Sequence, residues 1–170
     1  MTRMLTNLCS GIDRIVSRIT VVLMTILVVD VSWQVFSRYV IRNPSSFTEE
    51  LATFCLIWLG LLGGAYAYRQ RAHLGVDILT RKMEPVRKQR AAIFSYGVMM
   101  LFAIPVLVIG GTRLVWLTLT LNQISAALQV PMGYIYLVLP LSGVLFVLYS
   151  ITFIMENLSA GIQPDTDKRD

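Results

Sequence analysis

The chain is poor in charge where a soluble protein could not be. Between Leu114 and Met155 there is no Asp, Glu, Lys or Arg in 42 consecutive residues. Two further stretches, Leu51 to Tyr68 and Ala91 to Thr112, are equally bare, and the apolar run from Ile19 to Phe36 holds one acid, Asp30. Charged residues make up 15% of the chain against a usual ~25%, and the mean hydropathy is +0.65. A globular surface does not tolerate such a composition, so the expected solvent is a bilayer.

Other absences narrow the function. There are two cysteines and no CxxC pair, which disfavours thiol exchange, and Cys9 and Cys55 are expected to stay unpaired. One histidine, no glycine-rich phosphate loop and no cluster with metal-ligand spacing leave little for an enzyme to use, and no cofactor is expected. The alternating ten-residue segments of a membrane barrel are missing too, so the fold class is all-α.

About 20 apolar residues cross the hydrocarbon as a helix. The pattern therefore predicts a polytopic protein with four transmembrane helices at about 17–38, 50–69, 90–118 and 132–155 in one membrane domain, 1–158. The long uncharged run must bend where Asn122, Gln123, Ser125, Gln129 and Pro131 gather. Residues 159–170 are polar at their end and are expected to form a disordered cytoplasmic tail.

Basic residues fix the expected orientation, because positively charged loops stay in the cytoplasm. Arg3, Arg14 and Arg18 precede the first span, and Arg69, Arg71, Arg81, Lys82, Arg87, Lys88 and Arg90 lie between spans two and three. Lys168 and Arg169 end the chain, and only Arg38, Arg42 and Arg113 are left for the other side. Both termini are expected in the cytoplasm. The net charge of +5 then answers to topology and anionic phospholipid, with no need of nucleic acid.

No signal peptide is expected, since no apolar h-region with a cleavage site precedes Ile15. Instead Leu5, Leu8, Ile12 and Ile15 recur at helical spacing, predicting an amphipathic interfacial helix at about 4–16. A second is expected at about 74–89, with Pro85 opening a new helical segment.

Polar residues in or beside the spans are the candidate sites. Asp30 is either a proton or cation site or an acid near the outer boundary paired with Arg113, Gln123 or a partner subunit, and Gln34 lies one turn away to bond with it. Ser46 and Glu49 have the spacing of a capping box opening span two, while Glu50 and Arg42 are left for a soluble partner. Gly60 and Gly64, with Gly63 and Ala67, form a small-residue face for close helix packing. Arg14, Arg18, Arg69, Arg81, Lys82 and Arg87 form the expected cytoplasmic interface, and His73 and Asp77 are spaced to meet on one helical turn as a cap or a relay.

Taken in order, certain segments form a series: Gln34-x-x-Ser37-Arg38-Tyr39, Ser46-Phe47-Thr48-Glu49-Glu50-Leu51-Ala52, Trp58, Gly64-Ala65, Arg69, His73-x-x-x-Asp77, Ser125 to Pro131, Tyr134 and Leu139-Pro140. From about Leu5 to Leu158 the chain resembles the small membrane subunit of tripartite ATP-independent periplasmic (TRAP) transporters, most of all the sialic-acid branch. The resemblance implies a bacterial inner-membrane protein in a sodium-driven system. There a periplasmic binding protein captures an organic anion, a large membrane subunit moves it, and the small subunit braces the stationary part. No long linker follows Leu158, so the large subunit is expected as a separate chain. Arg42, Ser46, Glu49, Glu50 and Gln129 are the expected docking surface. The rival expectations are an independent four-helix antiporter using Asp30 and a structural membrane protein unrelated to transport.

Overall fold

The computed structural model describes residues 2–42, 45–70 and 85–160. The first helix, α1, runs Thr2–Phe36 and ends in a widened π-type turn, Ser37–Ile41. Arg42 closes it in the left-handed region at φ 56°, its N–H donating to the Ser37 carbonyl. Helix α2 covers Ser46–Arg69. Helix α3, Pro85–Phe102, passes through a second π-type stretch, Ala103–Gly110, into α4, Gly111–Thr120. A short α5, Met132–Tyr136, leads into α6, Val138–Ala160.

Among the described residues, four stretches are long and apolar enough to cross a membrane: Cys9–Ile41, Ser46–Arg69, Ala91–Thr120 and Met132–Met155. Span four is the hub. Half of it is buried, against 11% to 22% of the other three, and its Val138, Ser142, Tyr149, Ser150 and Phe153 are almost wholly enclosed. Spans one, two and three pack around it, and span one also lies along span two. Long apolar stretches of spans one and three, including Val22, Val29, Phe36, Leu101 and Ile109, face outward, as a lipid-facing or partner-facing surface requires.

Prolines explain the breaks. Pro105 lacks the N–H that would reach back along the helix and clashes with the preceding turn, and it sits inside the widened stretch of span three. Pro140 does the same to the fourth span near the join of α5 and α6. There the Trp58 indole N–H donates to the Ile135 carbonyl at 3.1 Å, supplying a side-chain donor from span two. Pro85 opens α3, where its missing N–H is harmless.

Some sequence expectations change. The segment 4–16 is continuous with span one: α1 runs unbroken from Thr2, because no proline interrupts it and a single glycine, Gly11, is not enough. Ser46 does not cap α2 with Glu49. Ser45 is the residue before the helix and its side chain makes no cap bond, while the Thr48 hydroxyl donates to the Ser45 carbonyl at 2.9 Å. The expected surface helix at 74–89 lies outside the described residues up to 84, as does the tail beyond 160. Cys9 and Cys55 are both free and buried.

The expected close approach at Gly60 and Gly64 is not where the helices meet most tightly. A methyl at Gly60 would meet open space, and at Gly63 and Gly64 it would find ordinary contacts at 3.8 and 3.9 Å. The tight places join spans three and four. A methyl on Gly143 would lie 2.8 Å from Leu107 Cβ and 3.1 Å from the Val108 nitrogen, and Gly111 is pressed as closely by Leu139 and Pro140. Backbone atoms at these points leave little room to yield.

Gly143→Ala should therefore destabilise the purified protein by about 1–3 kcal/mol, the cost of overpacking. Gly60→Ala should leave stability unchanged or raise it by up to about 1 kcal/mol, through helix propensity. Thermal unfolding in detergent measures both, and equal effects at the two glycines would contradict this packing.

Candidate functional site

Polar side chains collect at the two ends of the bundle. At the end where α1 begins and α6 finishes, Asp13 joins three spans: Arg69 Nε donates to its Oδ2 at 3.1 Å, and the Tyr149 hydroxyl donates to its Oδ1 at 2.7 Å. The Arg69 guanidinium also lies 5.8 Å from the Tyr149 ring centre and 5.4 Å from that of Phe153, within cation–π range. Beside them the Tyr68 and Ser150 hydroxyls are 2.8 Å apart, and Cys9 Sγ is 3.6 Å from Thr152 Oγ1. Both oxygens of a mostly buried carboxylate are thus engaged by cationic and hydroxyl donors. This is a clamp rather than a pocket.

Of the basic residues expected at this end, Arg69 is the one the structure draws inward, while Arg14 and Arg18 are exposed. His73, Asp77, Arg81 and Lys82 lie outside the described residues, as does the side chain of Arg87. Asp13 was not among the sequence candidates. Its signal was an acid on the apolar-periodic stretch between Ile12 and Val16.

The other end carries Arg42 and Ser45, which close the first span and open the second, and the connection 121–131. This connection is a tight hairpin: Ser125 N–H donates to the Val130 carbonyl at 2.9 Å, Met132 N–H donates to that of Gln123 at 2.9 Å, and Ile124 pairs with Pro131. Asn122 and Gln129 take positive φ, 46° and 55°, which lets the backbone reverse twice in few residues.

Glu50 fixes this hairpin to span two. Its Oε2 accepts from both Ala127 N–H and Leu128 N–H at 2.8 Å, and the buried Ser125 hydroxyl accepts from Leu128 N–H at 3.3 Å. Two adjacent backbone amides pointing at one carboxylate form a small anion-binding nest. The sequence leaves Glu50 free for a soluble partner, and the structure turns it inward instead.

Glu49 stays outside, lining a cleft of about 260 Å³ with Gln34, Arg38 and Ser45. Arg38 was not among the candidates, although Asp30, Gln34 and Arg38 are spaced four apart on one face of the first span. Arg42, Ser46 and Gln129 are exposed at the same end, and the Gln129 amide donates to the Ala126 carbonyl at 3.2 Å.

Asp30 is 8% exposed, and its Oδ2 has no hydrogen-bond partner among the described residues. The pairing expected with Arg113 is not formed: Arg113 is exposed on span three, while Asp30 lies near Cys55 of span two. Gln123 is exposed in the hairpin. No group of three or more His, Cys, Asp or Glu placed to hold a metal occurs among the described residues.

Glu50→Gln removes the negative charge while keeping the size of the side chain. Amide exchange at Ala127 and Leu128 should then quicken by roughly tenfold, while Tyr149 and its neighbours stay protected. Unchanged exchange at 127 and 128 would mean that the hairpin stands without this clamp.

The sequence profile described as "Tripartite ATP-independent periplasmic transporters, DctQ component" matches residues 14–160. The chain is 28% identical over 109 residues to the sialic acid TRAP transporter small permease protein SiaQ of Vibrio cholerae, covering 64% of this chain and 61% of that one. It is 25% identical over 157 residues to a putative TRAP transporter small permease protein of Haemophilus influenzae, covering 91% and 94%. It is also 35% identical over 96 residues to the isethionate TRAP transporter permease protein DctMQ of Oleidesulfovibrio alaskensis, covering 56% of this chain and 15% of that longer protein. The match from Arg14 to Ala160 takes in three spans whole and most of the first, together with Arg69 of the clamp and the hairpin held by Glu50, and the chain accordingly belongs to the DctQ component family of TRAP transporters, membrane transport proteins and not enzymes.

Proposed function

We propose that the chain braces a separate large membrane subunit of a sodium-driven transporter for an organic anion, and helps dock the periplasmic binding protein that delivers it. The observation that carries this reading is the use of the intramembrane polar groups. Thr20, Thr25, Ser32, Thr53, Thr112, Thr118, Thr120, Ser142 and Thr152 donate to carbonyls three or four residues back in their own helices. Asp13 and Arg69 are paired, and Glu50 holds the hairpin. Few groups remain to strip water from an anion and its coupling ions.

A rigid frame suits such a bundle. In this reading both termini are cytoplasmic, and the basic residues at that end hold the frame to anionic phospholipid at about 1 kcal/mol per nearby Lys or Arg. The end that carries the connection 121–131 then faces the periplasm, where Arg42, Ser46, Glu49 and Gln129 meet the loaded binding protein. Glu50 acts one step behind, by holding the hairpin in register. Names of relatives include sialic acid and isethionate, both small organic anions. Sialic acid is the substrate proposed here, because the chain's own motifs look most like that branch.

One observation favours a second reading. The unpartnered Oδ2 of Asp30 is what an independent ion-coupled antiporter would need at its centre. The two readings part on the chain by itself: an independent antiporter exchanges ions in proteoliposomes without the large subunit and loses that exchange on Asp30→Asn, whereas a brace shows none.

Docking is tested separately. Arg42→Glu should slow sodium-driven uptake about tenfold when the binding protein is limiting, since a rim charge acts mainly on the rate of encounter. The membrane complex should stay intact on size exclusion. Unchanged uptake across a range of binding-protein concentrations would remove Arg42 from the docking surface.

A further inference from the structure

Arg113 lies inside the apolar run of span three, with no ion-pair partner among the described residues. It lies in α4, seven residues before Thr120, about 10 Å along the axis from the helix end. It is exposed, and so are its neighbours on the same face, Ile109 at 61%, Trp116 at 67% and Leu117 at 45%. The opposite face of span three is taken, because Gly111 and Leu107 press against span four there.

Nothing described in this chain can neutralise the guanidinium. Asp13 is bound to Arg69 and Tyr149, and Glu50 to the hairpin amides. Glu49 lines the cleft beside Gln34 and Arg38, and Asp30 is buried near Cys55. The hydroxyls nearest in sequence are turned to their own backbone, Thr112 donating to the Val108 carbonyl at 2.6 Å and Thr120 to that of Trp116 at 2.7 Å.

An arginine at such a depth can reach out to a lipid phosphate or be met by protein. Helix geometry disfavours the first, because every Cα–Cβ bond tilts toward the helix N-terminus. For Arg113 that direction leads away from the nearer helix end at Thr120 and into the span. A cation started toward the middle of an apolar helix requires an acidic or otherwise electron-rich partner inside the membrane.

We propose that the face of span three made by Ile109, Arg113, Trp116 and Leu117 is where the large membrane subunit packs, and that this subunit meets Arg113 with a carboxylate from one of its own spans. The inference rests on the brace reading above and names its contact surface. Charge complementarity selects the occupant. Between Val22 and Val29 the exposed apolar face of span one holds no charged residue and is left to lipid.

The test uses the complex co-expressed with the large subunit of the same transporter, with photoreactive benzoylphenylalanine at Ile109, Trp116 or, for comparison, Val29. Irradiation should give a covalent adduct with the large subunit from Ile109 and Trp116, at least about tenfold more than from Val29. Arg113→Glu should cut recovery of the large subunit about tenfold, Arg113→Lys should retain most of it, and an Asp or Glu→Arg exchange at the cross-linked site should restore the Arg113→Glu complex. Phospholipid adducts alone from Ile109 and Trp116, with the large subunit still co-purifying, would overturn this surface and leave the brace reading standing. Absence of the large subunit from the purified unmodified chain would overturn both.

Discussion

Hydrocarbon offers a polypeptide no hydrogen bonds, and that single deficit orders this molecule. Every peptide group in the spans must be met by the chain itself, which forces helices, and every polar side chain among them must find a partner or be placed at an end. The Ser and Thr hydroxyls meet the rule locally, by returning to their own carbonyls. Trp58 meets it over a distance, by supplying a donor where the fourth span is broken near Pro140. The ends are closed by two carboxylates of different design, Asp13 tying three spans through side chains and Glu50 gripping the backbone of a hairpin.

From this follows the character of the bundle. Span four is the buried axis, and its glycines and hydroxyls let spans two and three come close. The remaining spans present wide apolar surfaces that belong to lipid or to another protein. Among the described residues, Asp30 is buried with an unmet oxygen, and Arg113 is exposed in the apolar run of span three without a counter-charge. They lie apart and do not form a shared site. A chain so arranged can hold a shape in the bilayer far more readily than it can strip water from an anion.

Much of the fold was legible because the signals were local. Uncharged runs gave four spans, Pro85 gave a helix start, and the gathering of Asn122 to Pro131 gave the reversal. What escaped depends on partners far away in the chain. Asp13 draws its meaning from Tyr149, 136 residues on, and Glu50 from amides 77 and 78 residues on. The Gly60 to Gly64 spacing shows that a helix could be approached closely, but which glycines are used depends on where Pro105 and Pro140 redirect the backbones, and these bring Gly111 and Gly143 into the tight contacts. In residues 4–16 the amphipathic spacing marks a face and no break, and α1 runs through them into the first span.

The central claim is that this chain frames a transporter and carries no solute by itself. Proteoliposomes containing the purified chain alone, loaded against a sodium or a proton gradient, measure it most directly. No accumulation of labelled sialic acid by the chain alone, with accumulation once the large subunit and the loaded binding protein are added, is the predicted result. Gradient-driven accumulation by the chain alone would contradict it.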